Sequence, residues 1–323
     1  DLYSTDHRFD DRQREIVTAY LFLAPNLIGF LVFTSIPVFA SLYFAFTRWD
    51  LFHPPRFVGL ENFVSLLGFT RSAEETINVL GIARLPYEPN DPFFWQYLYN
   101  TVYLMLAIPV TLAGSLTLAI ALNQKIRGVV VYRTLYFLPS VTSGVAVLVL
   151  WKWLYNTDLG AINMLLSSLG VQSPPDWLGS SQWAKPALML MGFVMGVGGS
   201  SMILYLAALQ GVPRELYEAA TIDGAGGWQQ FRRITWPLIS PTTFFLAIMS
   251  IIGGFQGGFM QAYVMTGGGP AGSTTTLEFY IYNKAFTVFN MGYASAIAWF
   301  LFVVILGLSL LTWKVGGRTV QYE

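Results

Sequence analysis

Cysteine is absent from the 323-residue chain, and histidine occurs only twice, as His7 and His53. Disulfides, thiol nucleophiles and thiolate metal sites are thereby excluded. Neither histidine lies near a cluster able to hold a metal. Charge is scarce too, at 11% of residues against roughly 25% in an ordinary soluble protein. The 18 basic and 18 acidic residues cancel, so nothing suggests a nucleic-acid partner or an acidic disordered tail. What fills the chain instead is hydrophobic (54%) and aromatic (16%). Too few charges remain to cover a soluble surface of this size. The composition predicts a membrane protein.

The positions of the missing charges are informative. Uncharged windows run over 16–47, 92–124, 134–151, 186–213, 234–277 and 285–313. A membrane helix needs about 20 mostly apolar residues, so each window holds one. The third is the shortest, but Arg133 and Lys152 at its edges are long enough to snorkel to the interfaces. The fifth is long enough for two spans. Its second half carries Gly267-Gly268-Gly269-Pro270 and a Ser/Thr run, which read as a loop. The expectation is six spans. The first window is too long for the apolar region of a signal peptide and has no small-residue cleavage site after it.

Lys and Arg set the orientation. With the N-terminus inside, the inner segments 1–15, 124–133, 211–236 and 314–323 hold 11 Lys and Arg in 61 residues. The outer segments 48–97, 152–185 and 265–292 hold 7 in 112. Both termini are therefore expected in the cytoplasm. The outer segments are rich in Trp and Tyr, as interfacial belts are, and 161–178 carries apolar residues at helical spacing, as a helix lying on the outer surface would.

The most specific segment is the inner loop 211–241. Pro213 suits a first helical position and Glu215 and Glu218 the positive end of a short helix. Gly224 is placed to stop that helix in the left-handed conformation. A second short helix, with Trp228, Phe231 and Ile234 on one face, is expected to end at Pro237 and Pro241. The order is Glu218-Ala219-Ala220, three residues, Gly224, nine residues, Ile234, two residues, Pro237. It resembles the EAA loop of permease subunits of binding-protein-dependent ABC importers; Trp236 stands where the family usually has Leu. Phe57-Val58-Gly59-Leu60-Glu61-Asn62, Phe137-Leu138-Pro139, Trp151-x-Trp153, Gly160-x-Ile162-Asn163, Tyr263 through Pro270 and Gly292 through Ala296 resemble further stretches of that family. The likeness runs from 17 to about 315 and points to the carbohydrate permeases of the MalF or UgpA type. At Met260 many relatives carry an acidic or polar residue instead.

The resemblance implies an all-α membrane protein of the type I importer permease (MetI-like) fold, with six transmembrane helices, N-in and C-in. It divides the chain into a cytoplasmic tail 1–15, a first membrane helix 16–47, an extracytoplasmic loop 48–97, a transmembrane core 98–315 containing the coupling loop 211–241, and a cytoplasmic tail 316–323. It implies coupling to ATPases through Glu218, Ala219, Ala220, Asp223, Gly224, Ile234 and Pro237. The implied partners are a second homologous permease, a dimer of cytoplasmic ABC ATPases and an extracytoplasmic solute-binding protein. The implied place is the inner or plasma membrane of a prokaryote.

No G-x-x-x-x-G-K-[ST] cradle is present, so ATP must be handled by another chain, and no cofactor is implied. No window contains Asp, Glu, His, Lys or Arg, the groups of proton relays. A phosphate ester would usually be met by Arg or Lys, although a partner permease could supply one. Uncharged polar groups beside rings suit a sugar, whose hydroxyls need amides and whose C–H faces rest on aromatics. Gln256, Phe259 and Tyr263 are expected to share a path-lining face, with Gln261 bonded to a neighbouring helix. The alternatives are a glycerol-3-phosphate permease and, further off, a polytopic membrane glycosyltransferase. The latter needs grouped surface carboxylates, and Asp91, Asp158 and Asp176 stand apart in sequence.

Overall fold

The computed structural model describes residues 6–71, 87–124 and 126–316. Residues 1–5 of the expected N-terminal tail, 317–323 of the C-terminal tail and 72–86 of the first outer loop lie outside it. The described chain is overwhelmingly helical. Five helices are long and apolar enough to cross a membrane: Gln13–Ala45, Pro92–Leu122, Ala184–Gln210, Gly227–Phe255 and Met291–Lys314. A further pair, Val129–Val141 and Gly144–Leu154, passes the same test together but is bent by 99°. Counted as one span it is the third of six, the number the charge gaps give.

The bend has a local cause. Pro139 offers no N–H, and the hydroxyls of Ser140 and Thr142 donate back to the carbonyls of Phe137 (2.7 Å) and Leu138 (2.9 Å). Such back-bonding competes with the helical ladder. The chain turns at Thr142, which is extended.

Elsewhere proline is absorbed. Pro37 and Pro237 each follow a widened turn, Leu31–Ser35 and Phe231–Thr235, closed by Ile36 N–H to Leu31 C=O and Trp236 N–H to Phe231 C=O. The wider turn relieves the clash between the ring and the carbonyl four residues back. Pro237 and Pro241 therefore do not end a second short helix. Gly227–Phe255 is continuous from the inner loop through the fifth span, which corrects that expectation.

The first span is peripheral: none of its most apolar window is buried. It rests on the sixth, where Trp299 Nε1 donates to Ser41 Oγ (3.1 Å). The other spans share three apolar clusters. Leu116, Tyr205, Leu206 and Ile239 join spans two, four and five. Phe94, Phe255, Tyr280 and Ile297 join two, five and six. Trp151, Tyr155, Leu188 and Met265 join the bent pair to span four. Small residues set the approach: a Cβ on Gly196 would lie 2.6 Å from Thr111, and one on Gly254 2.8 Å from Met105.

The 267–276 segment forms the loop expected. One face of span two holds it: Gln96 Nε2 donates to Ala271 C=O (3.2 Å), and Asn100 Nδ2 to Gly272 (2.8 Å) and Thr275 (3.0 Å). At the same end, Asp91 accepts hydrogen bonds from Phe94 N–H and from the hydroxyls of Tyr280 and Tyr293. The Lys284 ammonium lies 5.2 and 5.3 Å from those two rings. Asp91 thus ties span two to the segment before span six. Burial first, then the adjacent Asp91 carboxylate, pushes the Tyr280 hydroxyl far above its ordinary pKa.

Candidate functional site

Two places carry the candidate residues. At one end of the bundle, helix Arg214–Ile222 projects between spans four and five with no residue of its own buried. Pro213 precedes it and Glu215 occupies its first turn, as the charge and dipole argument requires. It stops at Gly224, whose φ is +78°. Gly224 N–H donates to Thr221 C=O (3.1 Å) and Ala225 N–H to Ala220 C=O (2.8 Å), closing the carbonyl end. The loop then folds back on itself. Gln230 Nε2 donates to Thr221 Oγ1 (3.0 Å) and to Ala225 C=O (3.1 Å), and the Tyr217 and Thr235 hydroxyls pair at 2.8 Å.

Within this knob Glu218, Ala219, Asp223 and Gly224 are exposed, and Ala220 is half-buried. Ile234 packs with Tyr217 and Phe231 against the cluster of spans two, four and five. Pro237 is half-buried at the start of the fifth span proper. Outward lie Leu216, Ile222 and Trp228; Ile222 is 87% exposed and Trp228 72%. An apolar tip on an otherwise polar projection is a surface built to be covered.

The second place is the middle of the bundle. A cavity of about 340 Å³ lies among spans two, four and five, with Thr101, Thr111, Ser201, Ser250, Gln261 and Thr276 as its polar lining. A second cavity, of about 480 Å³, adjoins it and shares Gly192, Gly258 and Gln261. No charged side chain lines either. Between them the fifth span is broken. Its helix ends at Phe255, Gly258 turns at φ +99°, and a short helix resumes over 259–266. A Cβ on Gly258 would sit 2.7 Å from Thr276 Cγ2, so the break is pressed against the loop before span six.

The break resets the helical phase, so angles counted along a continuous helix do not carry across it. Phe259 and Tyr263 are brought together, stacked at 5.5 Å and 14°, and Phe279 and Tyr282 join them. Neither ring lines a cavity, and Gln256 stands apart, exposed at the break and likewise outside both. Gln261 makes no side-chain hydrogen bond among the described residues and faces both cavities. The expected bond from Gln261 to a neighbouring helix is absent for that reason.

The charge-gap reading missed two residues here. Windows three and five end at Trp151 and Leu277, and the next residue in each case is a charge that reaches back. Lys152 Nζ donates to Val264 C=O (3.0 Å), and Glu278 Oε2 accepts from Phe259 N–H (2.8 Å). Burial raises the Glu278 carboxyl above the ordinary glutamate range, and the Phe259 N–H partly offsets this. The available signal was the first charge beyond each window.

An apolar bundle with a projecting knob at one end and an uncharged polar cavity at its centre defines a multi-pass membrane transport subunit. Residues 115–314 match the family described as the inner membrane component of binding-protein-dependent transport systems. The chain is 36% identical to the probable ABC transporter permease protein YesP of Bacillus subtilis, over 96% of this chain and 94% of that protein. It is 35% identical to the lactose transport system permease protein LacF of Rhizobium radiobacter, over 91% and 92%. A bacterial alginate ABC transporter, solved in complex with an alginate pentasaccharide-bound periplasmic protein, superposes with a TM-score of 0.78 at 24% identity, covering 97% of this chain and 98% of that one. The chain belongs to the binding-protein-dependent inner membrane component family. It is a permease subunit of an ABC importer rather than an enzyme, and ATP is hydrolysed on a separate subunit.

Proposed function

We propose that this permease moves a saccharide, delivered by an extracytoplasmic solute-binding protein, through the cytoplasmic membrane of a prokaryote. The observation that carries the reading is the pair of uncharged, hydroxyl- and amide-lined cavities at the break of the fifth span, where the short helix beyond it also carries the Phe259 and Tyr263 rings. Neutral donors and acceptors next to ring faces suit sugar hydroxyls and C–H surfaces. A phosphate ester would usually be met by Arg or Lys, and this chain places neither in the two cavities. The likeness to a lactose transport system permease agrees with this choice. The path-lining face is assigned to Gln256, Phe259 and Tyr263, which lie outside the two cavities, and their partial exposure leaves room for a second, similar permease to complete the path.

On the same reading both termini are cytoplasmic and the knob faces the cytoplasm, where a dimer of ABC ATPases receives helix Arg214–Ile222. Glu218, Ala219, Ala220 and Asp223 form the docking surface, Gly224 ends it, and Ile234 and Pro237 brace it against the spans. The test is uptake into proteoliposomes holding this chain with its partner permease, ATPases and binding protein. Labelled neutral oligosaccharides and glycerol 3-phosphate are offered separately. Uptake of a saccharide is expected; uptake of the phosphate ester alone would overturn the reading.

A further inference from the structure

We propose that Glu278 and Lys152 are positioning residues that hold helix 259–266 from its two ends and so set the Phe259 and Tyr263 rings in the solute path; this rests on the path reading above.

The segment cannot hold itself. It is eight residues long, below the roughly 12–15 at which an isolated helix becomes even marginal. It is cut off from the fifth span by Gly257 and Gly258, and it ends at Gly267 and Gly268, both at positive φ. Its first N–H groups lost their partners at the break. One of them, Phe259 N–H, is taken by the Glu278 carboxylate at 2.8 Å. Near the other end, Val264 C=O receives the Lys152 ammonium at 3.0 Å. A carboxylate at the N-terminus and an ammonium near the C-terminus is the arrangement the helix dipole favours.

The two charges come from different parts of the bundle. Lys152 belongs to the second half of the bent third span, and Glu278 to the helix Leu277–Tyr282. The reach of Glu278 is fixed by packing. Thr276 caps that helix through Phe279 N–H, and its methyl lies against the bare Cα of Gly258. Phe279 and Tyr282, on the same helix as Glu278, complete the ring cluster with Phe259 and Tyr263. Whatever displaces either charge tilts the wall that carries the rings and Gln261. Neither side chain lines either of the two cavities, so both act through the segment they hold.

The experiment measures KM and maximal rate of saccharide uptake in the reconstituted complex for Glu278→Ala, Glu278→Gln, Lys152→Met, Phe259→Ala, Tyr263→Ala and the Glu278→Ala/Phe259→Ala double variant. Glu278→Ala should raise KM about fivefold, the worth of one hydrogen bond, while binding-protein-stimulated ATPase activity is kept. Glu278→Gln retains an acceptor oxygen and should stay within about twofold of the parent. Lys152→Met should raise KM in the same direction, and the double variant should be no worse than Phe259→Ala alone. An unchanged KM in Glu278→Ala, or full additivity with Phe259→Ala, overturns the proposal. If Glu278→Ala fails to assemble, Lys152→Met decides: a raised KM supports the clamp and an unchanged one sinks it. Should Phe259→Ala and Tyr263→Ala themselves leave KM alone, the path reading fails. Should they raise it while Glu278→Ala does not, only the clamp fails.

Discussion

The knob at 211–241 and the cavity wall at 256–278 are built from the same materials, glycine breaks and short helices, yet they are stabilised in opposite ways. In the knob every hydrogen bond that shapes the loop joins residues near in sequence: Gly224 to Thr221, Thr221 to Gln230, Tyr217 to Thr235. In the wall, local bonds such as Thr266 to Thr274 and Thr275 to Gly268 are joined by others that span the chain: Lys152 to Val264, Asn100 to Gly272 and Thr275, Thr101 to Leu277. A device held by local bonds moves as one body and can transmit a push. A wall held from several spans changes whenever those spans shift. The first suits coupling and the second suits a path that must open and close.

The sharpest break in the comparison is Gly258→Val. The position is at φ +99°, and its new Cβ would overlap Thr276 at 2.7 Å. Positive φ in a β-branched residue costs on the order of 1–3 kcal/mol before the overlap is counted. Assembly with the ATPases should fall steeply, as read by copurification, because the strain lies where distant parts meet. Gly224→Val carries similar backbone strain at φ +78° but has nothing within 4 Å of its Cβ. That variant should insert and assemble, yet lose most uptake and stimulated ATPase activity. Equal assembly defects in the two would erase the distinction between a local and a distributed device.

Phe259→Ala comes next in size. Losing a stacking face costs about 0.5–1.5 kcal/mol, so uptake should drop several-fold while stimulated ATPase activity persists. Normal uptake in proteoliposomes would remove the rings from the path. The smallest effect is on stability. Glu278 has a raised carboxyl pKa in the folded chain, so the folded state binds that proton more tightly than the unfolded one. The ionised form therefore lowers stability at pH above the raised pKa, and the penalty fades as pH falls through it. Glu278→Gln should melt at a higher temperature than the parent at alkaline pH, with the gap closing on acidification. A gap of constant size in thermal scans across pH would contradict the burial of this carboxyl.

The same contrast explains what could be read from the residues. Gly224 was legible because a left-handed stop after a short helix is a local rule, and the six apolar segments were legible because charge cannot enter lipid cheaply. The bend at Thr142 was not, because its cue is a Pro139 followed by back-bonding hydroxyls, and each alone is tolerated within a helix. Pro237 misled for the converse reason: a widened turn upstream absorbs it. The break at Gly258 made the Gln256-to-Gln261 angle meaningless, and Glu278 and Lys152 were counted as window edges when they belong to the wall. Local rules cannot register a partner that lies 112 positions away, as Lys152 does from Val264.

The most direct test of the division between coupling knob and solute wall is the number of ATP molecules hydrolysed per saccharide imported, measured in one reconstituted complex for Gly224→Val and Phe259→Ala. The account predicts that Gly224→Val lowers hydrolysis and uptake together, leaving little of either. For Phe259→Ala it predicts near-normal stimulated hydrolysis with several-fold less uptake, so the ratio rises. A normal ratio with normal rates in Gly224→Val, or a loss of stimulated hydrolysis in Phe259→Ala, would contradict it.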